Sequence, residues 1–141
     1  MNTQQSFWLL PSNEAGFRLS DALRAQDGKV YWRNNNSLKV GDTVLIYSTR
    51  PEQRVKYVME VVEAKIPTAQ RPFDQKQFWN KHDDFEKAQQ ISYYCLLSLQ
   101  KTISDQSLSM SVLRDQGVKG YIQGPRKVGE ELLRFILKTI G

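Results

Sequence analysis

Histidine and cysteine are almost missing from this 141-residue chain, which has one of each, His82 and Cys95. A structural zinc site needs three or four such ligands at close spacing, so the sequence excludes that class. A Ser-His-Asp or Cys-His arrangement would have to run through His82, which lies in an irregular charged segment and reads as a solvated surface side chain. A lone thiol cannot form an internal disulfide. Cys95 sits in the apolar run Tyr93-Tyr94-Cys95-Leu96-Leu97, so a buried thiol in a reducing compartment is expected. Long hydrophobic runs are also lacking: nothing approaches the roughly 20 residues that cross a bilayer. The opening Met1-Asn2-Thr3-Gln4-Gln5-Ser6 has neither the basic start nor the small-residue cleavage site of a secretion signal. The expectation is a cytoplasmic protein with no membrane partner. Gly117, Gly120 and Gly124 fit neither phosphate-loop spacing. Asp83 and Asp84 are adjacent and would point apart on a helix or strand, so they make no catalytic carboxylate pair. No cofactor, metal or catalytic set is expected, and the chain reads as a non-enzyme.

What is present fits one domain, 1–141, long enough to bury a core without staples. Twenty basic against fifteen acidic residues give a formal charge of +5 and a pI near 9.4. That surplus attracts polyanions but decides nothing alone. A strand is expected at Phe7-Trp8-Leu9-Leu10, closed by the loop signal Pro11-Ser12-Asn13. A helix fits Ser20 to Gln26, with Ser20 as cap and Gly28 as stop. The stretch Val30-Tyr31-Trp32-Arg33-Asn34-Asn35-Asn36 reads as a loop, because a triple Asn suits neither helix nor strand. Thr43–Ser48 is apolar enough for a strand buried on both faces. After a loop at 49–54, Val55 to Ile66 forms its partner, with Val55, Tyr57, Met59 and Val61 on one face. Pro67 to Lys87 reads as a long excursion holding at most one helical turn, with Phe73, Phe78, Trp79 and Phe85 scattered along it. A further strand is expected over Ile91 to Ile103. Ser109 caps a short helix through Asp115, with Leu108 and Leu113 spaced as a hydrophobic staple and Gly117 as stop. A glycine-rich basic loop, Val118 to Lys127, leads into a helix from Glu130 to Ile140. That helix carries a stripe of Leu132, Leu133, Ile136, Leu137 and Ile140.

One chemical theme remains: aromatics beside amides and bases in loops. Tyr31, Trp32, Arg33, Asn34 and Asn35 form one cluster, Tyr47-Ser48 ends a buried strand, and Gln123-Gly124 lies in the basic loop. Rings stack on nucleobases, amides and hydroxyls read base edges, and Arg or Lys hold phosphates. Alternatively, Trp32 and Tyr47 plug the core and the Asn run makes turns.

The opening Phe7-Trp8-Leu9-Leu10-Pro11-Ser12-Asn13, followed by Tyr31-Trp32-Arg33-Asn34-Asn35, resembles the start of EVE domains. Val40-Gly41-Asp42-Thr43-Val44-Leu45-Ile46-Tyr47-Ser48 is similar to a characteristic strand of that family. Gly117-Val118-Lys119-Gly120-Tyr121-Ile122-Gln123-Gly124-Pro125 looks like its closing segment. The resemblance runs through nearly the whole chain. It implies an α+β, PUA-like fold related to YTH and ASCH domains: a curved, mostly antiparallel β-barrel flanked by helices. It also implies recognition of a modified base in DNA or RNA, such as modified cytosine, by base flipping into an aromatic pocket.

Carried over, Trp32 becomes a pocket wall or a core residue, and Asn34 and Asn35 edge readers or loop formers. Tyr47 and Ser48 form the floor, Asn13 reaches the base, and Gln123 lines the closing side. Arg126 and Lys127 hold phosphates, Arg33 holds a phosphate or reads the base, and Trp79 is a second wall or packs its own loop. Tyr47 stands where many members have histidine. The implied partner is a modified nucleic acid, with a restriction or other nucleic-acid-processing subunit alongside. Competing readings are an unspecific RNA- or DNA-binding accessory domain, an ASCH-like nuclease or hydrolase, and a protein-interaction module.

Overall fold

The structure, a computed structural model, describes residues 5–34, 37–70 and 75–141. Asn35, Asn36 and Phe73 lie outside the described residues. Among those described, six strands form one sheet: β1 (Phe7–Ser12), β2 (Lys29–Arg33), β3 (Thr43–Ser48), β4 (Arg54–Pro67), β5 (Tyr93–Thr102) and β6 (Arg126–Lys127). Their order is β2-β5-β4-β3-β1-β6. The helices are α1 (Leu19–Ala25), α2 (His82–Gln89), α3 (Met110–Asp115) and α4 (Glu130–Ile140). The fold is α+β with a mostly antiparallel sheet, as expected, but that sheet does not close into the expected barrel. The sheet is open, with β2 and β6 as its edges. It is also mixed, because β1 and β3 pair in parallel, Phe7 with Thr43 through Ser12 with Ser48. Parallel neighbours need a long crossover, and residues 13–42 supply it, carrying α1 and β2 to the far edge.

Alternation along the strands sends side chains into two cores. Leu10, Val44, Ile46, Met59, Val61 and Leu97 pack with Leu19, Ala22 and Leu23 of α1. Leu9, Leu45, Tyr47 and Val58 pack on the other face with Leu108, Leu113 of α3 and Ile136 of α4. Both faces of β3 are therefore covered, which is why its sequence is one continuous apolar run. Val55 does not share the face of Tyr57. Ile46 pairs with Tyr57 and Tyr47 with Val55, so Lys56 is an extra residue, a bulge that turns Val55 toward the second core.

Local signals were met unevenly. Ser109 Oγ accepts the Val112 N–H, and Leu108 and Leu113 are wholly buried behind it. Gly28 and Gly117 take the left-handed conformation at φ 78° and 99°, and Gly28 N–H bonds Leu23 O at 2.8 Å. The start of α1 is capped differently: the Glu14 carboxylate accepts from the N–H groups of Leu19 and Ser20. The Ser20 hydroxyl instead bonds Tyr57 Oη at 2.6 Å. Val30 to Arg33 is not loop but strand, paired with β5; β-branched and aromatic side chains there outweigh the following asparagines. Among its described residues the excursion holds two 3₁₀ turns and leads through the eight-residue α2. On α4 the inward stripe includes Phe135, whereas Leu137 is 45% exposed. Cys95 is buried, and desolvation pushes its thiol up to about 12. Among the described residues no helix is long and apolar enough to cross a membrane.

Candidate functional site

Pro11 and Ser12 of β1 and Tyr31, Trp32 and Arg33 of β2 line a single cavity of about 230 Å³. Three strands separate β1 from β2 in the sheet, so only strong curvature brings them to one hollow. The cavity exceeds the roughly 150 Å³ that accommodates a benzene ring in an engineered protein core, so a substituted flat ring fits.

Its walls are aromatic. Phe17 stands at the centre, edge-on to Trp32 at a ring separation of 6.0 Å and tilted against Trp79 at 5.0 Å. Both indoles are only partly buried, and all three rings line the cavity. Trp79 is held there by stitching between two loops. Phe17 and Trp79 form an isolated antiparallel bridge, and Arg18 N–H bonds Phe78 O at 2.8 Å. The Arg18 guanidinium donates to Gln77 O and Asn80 Oδ1, and Asn80 Nδ2 donates to Glu14 O and Ala15 O. Gln75 fastens the same segment to β2. Its Oε1 accepts the Tyr31 N–H at 2.8 Å and its Nε2 donates to Tyr31 O at 3.2 Å, so the buried amide stands in for a neighbouring strand.

The polar lining is sparse. Ser12 is 4% exposed and its Oγ has no hydrogen-bond partner among the described residues. Asn13 is exposed and its Oδ1 accepts the Ala15 N–H. Thr49, the exposed Arg33 and the Gln75 amide line it as well; the Arg33 side chain makes no hydrogen bond or ion pair among the described residues. No carboxylate, imidazole, thiol or primary amine lines the cavity among those residues.

Trp32, Trp79, Asn13 and Arg33 thus come together at one hollow. Other residues implicated by sequence stand elsewhere. Asn34 is buried, and its amide is committed to the backbone of Leu38 in both directions, at 3.0 and 3.1 Å; its contacts are those of a loop former. It borders a smaller recess of about 40 Å³ that shares Pro11, Trp32 and Arg33 with the main cavity and is closed by Gly124 and Pro125. Gln123 is exposed beside that recess and does not line it. Asn35 is outside the described residues. Tyr47 points into the second core, on the other side of the sheet, and burial raises its phenol pKa despite the opposing charge of Arg114.

Ser48 is buried and donates to Glu52 Oε1 at 3.0 Å. Around it, burial alone would raise the Glu52 carboxyl pKa, but hydrogen bonds from Lys56 and Ser48 and the charges of Lys56 and Arg54 lower it overall. The Arg126 guanidinium bonds Lys119 O and Tyr121 O, each at 3.0 Å, tying down the glycine-rich loop. Lys127 is exposed at the β6 edge. Phe17, Ser12, Thr49 and Gln75 are among the lining residues that sequence reasoning did not single out. A lone ring between Gly16 and Arg18 was the one available signal for Phe17.

The model of the EVE domain family matches residues 6–137. No curated protein is a significant match to the sequence. Among solved structures, the chain is similar to a Pseudomonas putida protein with a TM-score of 0.64 and 19% identity, covering 94% of this chain and 98% of that one. It is similar to ASCH from Zymomonas mobilis with a TM-score of 0.65 at 11% identity, covering 94% of each. A hypothetical protein from Leishmania major matches with a TM-score of 0.63 at 17% identity, over 96% of this chain and 94% of that one. At these identities the likeness concerns the fold.

Proposed function

Because this chain belongs to the EVE domain family, a type that generally binds nucleic acid, we propose that it is a non-catalytic reader of a modified nucleobase, such as modified cytosine. The base leaves its stack and enters the cavity between β1 and β2, where Trp32 and Trp79 flank Phe17. The observation that carries this reading is the cavity itself: a hollow of about 230 Å³ walled by indoles, with a few polar groups and one exposed arginine. Stacking on such rings contributes about 1–3 kcal/mol per base, Asn13 and Thr49 offer hydrogen bonds to a base edge, and Arg33 suits a phosphate. A lining without carboxylate, imidazole, thiol or primary amine among the described residues favours holding a base over acid-base chemistry on it. Such a module would serve a restriction or other nucleic-acid-processing subunit in the cytoplasm.

The test is a binding screen of methylated, hydroxymethylated and unmodified cytosine in single- and double-stranded oligonucleotides, at two salt concentrations. The wild type should prefer a modified strand. Trp32→Ala should remove that preference and weaken binding by about tenfold or more, the equivalent of losing one stacking contact, while circular dichroism still reports a folded protein. Equal affinity of the wild type for all strands, falling steeply with salt, would instead favour unspecific binding, the reading that the +5 charge alone suggests.

A further inference from the structure

Ser12 ends β1 in parallel register with Ser48 at the end of β3. Both serines are 4% exposed, yet their hydroxyls differ in state. Ser48 Oγ is bonded to Glu52. Ser12 Oγ is the buried side-chain polar atom left without a partner among the described residues. Its carbonyl is engaged, since Ser12 O accepts from Thr49 N–H at 3.0 Å, while the hydroxyl is uncommitted among the described residues. Strand alternation puts Ser12 on the same side as Leu10, which packs with Phe17, Trp32 and Trp79, and Ser12 lines the cavity those rings enclose. A buried hydroxyl without a partner is unfavourable to folding. Its place beside a ring-sized hollow gives it a use that folding does not.

We infer that the Ser12 hydroxyl is a specificity-determining group of the cavity, which hydrogen-bonds the polar edge of the flat heterocycle bound between the rings. It rests on the reading of that cavity as a base site and goes beyond it by assigning the edge contact. A hydroxyl both donates and accepts. It can therefore donate to a ring nitrogen or carbonyl, or accept from an exocyclic amine, and an apolar ring of the same size leaves it unpaired. A small turn about the Cα–Cβ bond aims the hydroxyl at a ligand and needs no backbone movement.

The experiment compares wild type, Ser12→Ala, Ser48→Ala and Trp32→Ala. Probes are oligonucleotides carrying a single 5-methylcytosine or 5-hydroxymethylcytosine, and thermal unfolding is measured without nucleic acid. Ser12→Ala should melt at or above the wild-type temperature, because no protein bond is lost, and should bind the preferred probe about tenfold more weakly, the usual worth of one hydrogen bond. Ser48→Ala should show the opposite pattern, a lower melting temperature with affinity unchanged. A fall in melting temperature for Ser12→Ala would mean that the hydroxyl has a structural partner, and overturns the inference. So does unchanged affinity in Ser12→Ala where Trp32→Ala abolishes binding; in that case the cavity remains a base site and only the Ser12 assignment is lost. A wild type that binds neither probe overturns the base-site reading and the assignment together.

Discussion

At the scale of the residue, function depends on which polar groups the fold leaves uncommitted, and the sequence states this poorly. Tyr47-Ser48 and Arg126-Lys127 were attractive by type and place. Yet Tyr47 faces the opposite core, Ser48 serves Glu52, and Arg126 ties a loop. Trp32 was legible as a candidate because an aromatic ring beside amides and a base suits stacking, although a core role stood equally open; it lines the cavity and also packs against the first core. Ser12 was not legible, since a serine followed by asparagine is first of all a turn signal.

The Ser48–Glu52 pair makes a prediction of its own. The folded protein lowers the Glu52 pKa, so the ionised form contributes stability that is fully present at neutral pH. That contribution is lost as pH falls through the depressed folded-state value. Glu52→Gln should therefore be less stable than wild type at neutral pH, with the gap closing as the solution is acidified below the ordinary carboxylate range. Denaturant unfolding of both proteins across that range measures the gap; a gap that widens in acid would contradict the assignment.

At the scale of the element, periodicity served well wherever burial was one-sided or complete. β3, β4, β5, α3 and α4 stand close to their expected places because their side chains repeat at two or 3.6 residues against one core. β2 was missed because its five residues run straight into Asn34, so the composition of the window was dominated by its tail. The bulge at Lys56 was invisible for another reason. It is a property of the pairing between Ile46-Tyr47 and Val55-Tyr57, and no strand carries it alone. Gln75 fastens the described part of the excursion to β2, its side chain capping the free edge of that strand in place of a further strand. A polar residue in an irregular segment gives no sequence sign of such a role. Gln75→Ala removes its bonds to Tyr31 N–H, Tyr31 O and Gln26 Nε2. At roughly 1 kcal/mol per hydrogen bond the loss should be about 2–3 kcal/mol, read from denaturant midpoints, with faster amide exchange along β2.

At the scale of the whole molecule, the decisive feature is curvature, which brings the ends of β1 and β2 to one hollow across three intervening strands. The family resemblance anticipated a curved sheet. The parallel β1–β3 register and the open edge depend on contacts far apart in sequence and had no local signature. The same geometry governs how the net charge of +5 bears on binding. A charge spread evenly over the surface would contribute a diffuse attraction to which no single residue matters much, whereas a base held in the cavity brings its own phosphate beside Arg33, which is exposed and lines both recesses. Each phosphate contact displaces counterions, and the slope of log affinity against log salt changes by about 0.7 per contact on a single strand and about 0.9 on a duplex. Arg33→Gln should therefore reduce that slope by close to one such step and weaken modified and unmodified strands alike. Arg126→Gln should leave the slope nearly unchanged, because that guanidinium is engaged by Lys119 O and Tyr121 O. Salt titrations of the two variants side by side separate a localised phosphate contact from a diffuse basic surface: equal, small changes in both slopes would mean that the nucleic acid does not cross the mouth of the cavity at Arg33.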